Sequence, residues 1–339
     1  MKKKPTYLLA IAAAIAMLSC SGDNEPETSR QDSTPITFAA VSVDSKATTR
    51  TTMGADAHET GLPLGVTLDV FIYDQNGTVV TSDADGNPAV TLPLVYVTTE
   101  DGDPETGQSG LGLQNESLSQ PVYPKTDTNH TAYIFAVYPS GCTSNEATAN
   151  SYTFSVSTSQ RTAANVTASD LLATEQISQP EAGGKAIDLP MTHRMAKVIV
   201  KFNATGDLTA DNMPTDFNVL NVQNTVTIAP KTGAISNGSA CITTTGSTTT
   251  IEACTTEAFL IPPQTIFSGT EFLSFDISGT AADNFHAITG GKFTPTRDLV
   301  FEANKVYEIT VNVSVNYITA TATITPWNEE TMTFDKYIL

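Results

Sequence analysis

Lys305-Val306-Tyr307-Glu308-Ile309-Thr310-Val311-Asn312-Val313-Ser314-Val315-Asn316 decides the fold class. Tyr307, Ile309, Val311, Val313 and Val315 fall on one side, and Glu308, Thr310, Asn312, Ser314 and Asn316 on the other. Side chains alternate across a strand with period two, so this stretch predicts a strand with one face on a core and one in water. Past Tyr317 the apolar series moves to Ile318, Ala320, Ala322 and Ile324, which predicts a bulge or bend at the change of phase. Upstream, Leu68 to Tyr73, Ala132 to Tyr138 and Val198 to Phe202 read as more apolar, hence more central, strands. Asn76-Gly77 between Phe71 and Val80 predicts a tight hairpin. Helical pattern is scarce: Ser169-Asp170-Leu171-Leu172-Ala173-Thr174 predicts one turn, capped by Ser169 or Asp170. Thr98 to Gly110 and Glu181 to Lys185 read as polar loops. Many short strands punctuated by Gly, Pro and Asn give an all-β chain built of β-sandwiches. A fresh run of strands begins at Ile187-Asp188-Leu189-Pro190, which places a domain boundary near Lys185.

The 339 residues suit about two domains. Hydrophobic residues at 40% and charged residues at 16% exclude a disordered chain and a multispanning membrane protein. Lys and Arg number 17 against 36 Asp and Glu, a net charge of −19. Such a chain repels phosphate backbones and anionic lipid surfaces, so no nucleic-acid partner is expected.

Met1 to Cys20 reads as an export signal. Lys2, Lys3 and Lys4 form a positive start, and the apolar core Leu8 to Leu18 is too short for a permanent span. The core ends at Met17-Leu18-Ser19-Cys20, which resembles a bacterial lipobox, in which cleavage precedes a lipidated Cys. An ordinary secretory leader with an incidental Cys is the alternative. The acidic tether Ser21-Gly22-Asp23-Asn24-Glu25-Pro26-Glu27 resembles the surface-export signal of Bacteroidales lipoproteins. Residues 1–19 are thus expected to be removed, leaving Cys20 on outer-membrane lipid and 14 basic against 36 acidic residues, a net −22.

Little in the chain points to catalysis. His58, His130, His193 and His286 stand in unrelated contexts, with no partner at helix-face spacing. Gly107-Gln108-Ser109-Gly110 lacks the spacing of a nucleophile elbow, and Gly184-Lys185-Ala186 and Gly291-Lys292-Phe293 lack the rest of a phosphate loop. Asp83-Ala84-Asp85-Gly86-Asn87 and Asp101-Gly102-Asp103 read as turns, calcium binding being the alternative; both lack a downstream bidentate carboxylate. His193-Arg194 is expected to hydrogen-bond structurally ahead of the strand Lys197 to Phe202, and Trp327 to pack. No cofactor, no metal and no enzyme activity are expected. Cys241 and Cys254 flank a Thr-rich stretch around Gly246-Ser247 that reads as a hairpin, which would bring their sulfurs opposite for a disulfide. Cys142 reads as a small buried apolar residue.

Several motifs together resemble the fimbrillin family, the FimA- and Mfa-like pilins of type V pili. They are the leader ending at Cys20, Ile36-Thr37-Phe38, Arg50, Asp170-Leu171-Leu172-Ala173-Thr174 and His193-Arg194-Met195-Ala196-Lys197-Val198. Phe259-Leu260-Ile261-Pro262-Pro263-Gln264-Thr265, Asn304-Lys305-Val306-Tyr307 and Ile324-Thr325-Pro326-Trp327 complete the set in order. The resemblance implies two transthyretin-like β-sandwich domains in tandem, residues 51–185 and 186–339, after a lipoprotein signal peptide. It implies a pilin that supports cell adhesion, first as an outer-membrane lipoprotein precursor at the cell surface and then in the fimbrium.

In that family an extracellular Arg-directed protease cuts after the first strand, and a neighbouring subunit's C-terminal strand fills the gap. Residues 20–50 would be the tether and removable strand, with Ile36 to Val43 as the strand and the cut between Arg50 and Thr51. Arg30 is the competing position, but it precedes the strand, so a cut there opens no groove. Thr331 to Leu339 sets Met332, Phe334 and Ile338 on one side as a candidate donor strand, interrupted by Lys336. Partners are then other pilin subunits. Two alternatives are a surface lipoprotein that binds glycans and the membrane-anchor subunit of the pilus. One Trp and 7% aromatics give the first little to build a sugar platform from.

Overall fold

The alternation at the end of the chain becomes burial: Tyr307, Ile309, Val311 and Val313 are buried, and Glu308, Thr310 and Asn312 between them are half-buried. The structure, a computed structural model, describes residues 38–43, 62, 66–73, 90–95, 110–111, 131–140, 143–144, 152–180, 187–206, 208–229, 242–279, 287–314, 318–326 and 332–333. Its first strands are β1 (Phe38–Val43), β2 (Thr67–Tyr73), β3 (Val90–Val95), β4 (Gly110–Leu111), β5 (Thr131–Tyr138) and β6 (Thr143–Ser144). Next come β7 (Tyr152–Ser155), β8 (Ser159–Gln160), the short helix α1 (Ala163–Ala168), β9 (Leu172–Thr174), β10 (Ile177–Pro180) and β11 (Ile187–His193). The chain continues with β12 (Ala196–Ala204), β13 (Asp216–Ile228), β14 (Ile242–Cys254), β15 (Phe259–Ile261), β16 (Gln264–Ile266) and β17 (Leu273–Ile277). Last are β18 (Ile288–Phe293), β19 (Leu299–Phe301), β20 (Lys305–Val313), β21 (Ile318–Pro326) and β22 (Met332–Thr333).

An eight-stranded sheet runs β10-β5-β2-β3-β4-β1-β11-β9, and β9 also pairs with β5, so the sheet closes on itself. Leu68, Val70, Ile134, Ala136, Leu172, Ile187, Leu189 and Met191 form a core cluster from its strands. A five-stranded sheet, β15-β12-β20-β21-β22, and a second sheet along β18-β17-β13-β14-β8 share the larger core. Phe202 of β12 meets Phe217 and Phe275 of the second sheet edge-on, at ring-centroid distances of 5.7 and 4.7 Å. Such geometry adds about 0.5–1.5 kcal/mol per pair beyond the buried area. That core also takes in Phe71, Phe135 and Val137, so its packing draws on residues from both sides of the boundary expected near Lys185. Residue 185 itself lies outside the described residues, and 33–339 forms one compact unit.

Three local expectations are corrected. The change of phase near Tyr317 is a chain reversal: β20 and β21 pair antiparallel from Lys305↔Pro326 to Val313↔Ile318. The helical turn lies one element earlier, at α1, where Thr162 caps the start and Ser169 closes the end, while Leu172–Thr174 is strand. Ser169 Oγ donates to the Asn165 carbonyl 2.8 Å away, so the residue read as a starting cap serves the last turn. Thirdly, residues 242–254 form one continuous strand, not a hairpin around Gly246-Ser247. Gly246 instead sits in a bulge, where the register against β13 shifts between Gln223 and Thr225. Its φ of +94° is open to glycine and strained for other residues.

The disulfide expectation falls with the hairpin. The pairing rests on a turn at Gly246-Ser247, and the strand from Ile242 to Cys254 runs straight through that point, spanning roughly 40 Å at about 3.4 Å per residue. Cys254 is a free, buried thiol, with Sγ 3.4 Å from the Arg161 carbonyl oxygen and 3.3 Å from Thr256 Oγ1. Cys241, Cys142, Asn76-Gly77 and both candidate calcium turns lie outside the described residues.

Candidate functional site

Two of the sequence motifs fold onto each other. Helix α1 ends at Ser169 and delivers Asp170 into the interior, where its Oδ1 accepts from His193 Nδ1 at 2.9 Å. Both side chains are almost wholly buried. Backbone Arg194 N donates to the Leu171 carbonyl at 2.8 Å. The Arg194 guanidinium donates to the carbonyls of Ala173 (3.1 Å) and Thr174 (2.7 Å), and to Glu175 Oε1 (2.7 Å). Thr174 Oγ1 in turn accepts from backbone Ala136 N at 2.9 Å. The expected structural role of His193-Arg194 is therefore observed. The pair locks β9 against β11 and fixes the end of β11, a strand whose other edge carries β1.

β1 is the strand that the sequence reading marked as removable. It lies between β4 and β11, antiparallel to the first through Ala40↔Gly110 and parallel to the second through Phe38↔Ile187, Val41↔Leu189, Ser42↔Pro190 and Val43↔Met191. Val43 is buried in the ring's core. Parallel ladders hold slightly less per residue than antiparallel ones, and this one is interrupted between Phe38 and Val41. At the other end of the chain, β22 adds Met332 opposite Ile324 and Thr333 opposite Thr323 as the outermost strand of the five-stranded sheet. Cys20, Arg50, Thr51, Phe334 and Ile338 lie outside the described residues.

Two glutamines that the sequence reading passed over stand in for strands. The Gln160 amide donates to the Leu260 carbonyl (2.9 Å) and accepts from Leu260 N (2.7 Å). It thereby ties the edge strand β8 of one sheet to the edge strand β15 of the other. Gln264, inside the Phe259 to Thr265 motif, does the same to Gln223, accepting from its N–H at 2.8 Å and donating to its carbonyl at 2.9 Å. That amide fills the stretch of β13 between its partners β17 and β7. Primary amides carry the donor–acceptor pair of a peptide group, which is the only local signal for this role.

The Asn304-Lys305-Val306-Tyr307 motif forms a turn with Asn304 at φ 59°, and Asn304 N donates to the Met195 carbonyl at 3.1 Å. Buried Tyr307 Oη accepts from Glu302 N at 2.7 Å. Burial, helped by the charge of Glu302 and opposed by that hydrogen bond, pushes the Tyr307 phenol up to about 12. A raised pKa means that the folded state holds its proton more tightly. The contribution is therefore complete below pH 10, the ordinary value, and lost as pH rises toward about 12. Unfolding of the wild-type chain should lose about 2–3 kcal/mol of stability over that window. Tyr307→Phe should remove this component of the loss; an unchanged pH slope in chemical denaturation would contradict it.

Among the described residues no group of three or more His, Cys, Asp or Glu could hold a metal, and no helix is long and apolar enough to cross a membrane. The fimbrillin-like family profile matches residues 32–327. The chain belongs to the fimbrillin-like family. Membership points to a structural, non-enzymatic, pilin-like role at the cell surface, in association with other pilin subunits. No curated protein matches the chain. Among solved structures this fimbrillin-like chain resembles a candidate cell adhesion protein of Bacteroides ovatus, with a TM-score of 0.55 at 15% identity over 89% of this chain and 98% of that one. A second candidate cell adhesion protein, from Bacteroides uniformis, gives 0.52 at 16% identity, covering 85% and 97%. At such identities the likeness carries the all-β fold.

Proposed function

We propose that the chain is a structural or accessory pilin that polymerises by donor-strand exchange and supports cell adhesion. It is exported as a lipoprotein on Cys20 and cut after Arg50 by an Arg-directed protease outside the cell; the mature chain carries two sandwiches that exchange strands across residue 185, β11 joining the first and β7 and β8 the second. The observation that supports this best is the position of β1 between β4 and β11. A cut between Arg50 and Thr51 separates β1 from everything after it and removes five acidic and three basic residues, leaving a net −20. Loss of β1 bares the N–H and C=O groups of β11 together with the apolar positions it covered, a template for another strand. The C-terminal segment around Met332, Phe334 and Ile338 is the donor, a role suited to the place of β22 (Met332–Thr333) at the outer edge of its sheet.

Mass spectrometry of the N-terminus on surface-assembled protein tests the reading. A start at Thr51 is expected, with laddering on unheated gels that Arg50→Ala abolishes. Persistence of lipidated Cys20 in assembled protein would overturn it in favour of the anchor subunit or a glycan-binding lipoprotein.

A further inference from the structure

β11 sets a register that any strand lying between it and β4 must match. Ile187, Leu189 and Met191 are buried, while Asp188 and Pro190 between them are exposed. β1 meets the three buried residues at positions 38, 41 and 43, and meets Pro190 at position 42. Partners in neighbouring strands share one face of a sheet, so 38, 41 and 43 are the inward places of the slot that β1 fills. Ile187 to Leu189 is a step of two residues, whereas Phe38 to Val41 is a step of three. The extra residue falls within Ala39-Ala40, and Ala40 pairs on its other side with Gly110 of β4. Plain alternation would space the inward places evenly by two; this bulged register spaces them by three and then by two.

The same spacing recurs in Phe334-Asp335-Lys336-Tyr337-Ile338-Leu339. Laid over Phe38-Ala39-Ala40-Val41-Ser42-Val43, that segment brings Phe334, Tyr337 and Leu339 to the three inward places. Asp335 and Lys336 then fall at the irregularity, with Lys336 opposite Gly110, which has no side chain to crowd it. Ile338 falls opposite exposed Pro190 and needs no pocket. Strict alternation through Met332, Phe334 and Ile338 instead carries Lys336 into the inward row, an ammonium without a partner among apolar side chains.

We propose that Phe334, Tyr337 and Leu339 of one copy enter the β1 slot of a second copy in this bulged register, parallel to β11 and antiparallel to β4. This placement rests on the strand exchange proposed above and names the residues that select the donor. Ladder hydrogen bonds form whatever the side chains, so fit at the three inward places tells the donor from other free strands. A segment one residue out of register turns its apolar side chains to water and its charges inward.

Peptides of residues 331–339 test the register on the full-length chain, cut once between residues 50 and 51 by a site-specific protease whose recognition sequence replaces 45–50. The readout is release of the β1 fragment, measured by mass spectrometry. The wild-type peptide should displace β1. Tyr337→Ser should weaken displacement by about ten- to hundredfold, and by more than Ile338→Ser does. The reverse order, an equal effect of both, or no displacement by the wild-type peptide would each overturn the register. The same two substitutions in the full-length chain give a second reading, by laddering on unheated gels. Greater loss of ladders in Tyr337→Ser sustains the register, and greater loss in Ile338→Ser overturns it while leaving strand exchange intact. Absence of ladders from the wild type as well would count against polymerisation itself, and peptide displacement alone would then decide the register.

Discussion

Asp170→Ala should destabilise the fold by about 3–5 kcal/mol, the cost of removing one member of a buried hydrogen-bonded pair. The Asp170 carboxyl is fully buried and receives His193 Nδ1 at 2.9 Å, while its Oδ2 has no hydrogen-bond partner among the described residues. Alanine leaves His193 without that acceptor in a site that water does not reach, and it opens a cavity where β9 meets β11. Asp170→Asn keeps an acceptor oxygen and should lose distinctly less. The measurement is urea denaturation of both variants, with His193→Ala and the double variant completing a cycle. A coupling energy near zero, or an Asp170→Ala loss below about 1 kcal/mol, would mean that the motif is not the lock described here.

Gln160→Ala is the second large effect. Gln160 is fully buried, and its removal strips partners from both Leu260 N and the Leu260 carbonyl, and from the Ser157 carbonyl at 3.1 Å. Leaving two buried backbone groups unpaired costs about 1–3 kcal/mol for each, so a loss of about 2–6 kcal/mol is expected. Gln160→Glu is the informative companion: a carboxylate can accept from Leu260 N but offers no N–H to the carbonyl. It should not rescue the alanine variant. Hydrogen exchange at the Leu260 amide is the direct readout, and unchanged protection there would refute the role.

The sheet content was legible because period-two burial needs only local information. The Tyr307 to Val313 alternation maps residue for residue onto buried and half-buried positions. Gly246-Ser247 misled because a bulge and a turn ask for the same left-handed glycine, and only the partner strand distinguishes them. Ser169-Asp170 misled similarly, since hydroxyl and carboxylate side chains serve either end of a helix. Long-range features left no local trace. The parallel pairing of β1 with β11 joins Phe38 to Ile187, and the Gln160 amide reaches across a hundred residues to Leu260. The motif set carried the family, and it pointed at the lock residues Asp170 and His193 without saying that they touch.

Closure of the eight-stranded sheet through β9 has a mechanical side. Were β1 withdrawn, the remaining strands would still be joined round the far side by the β5–β9 and β9–β11 ladders. The lips of the slot, β4 and β11, would then stay near two strand spacings apart, roughly 9.6 Å. A foreign strand seated there and pulled along its length would strain all its ladder bonds together, in shear, instead of peeling them one by one. A fibre joined at such slots resists tension like a riveted seam.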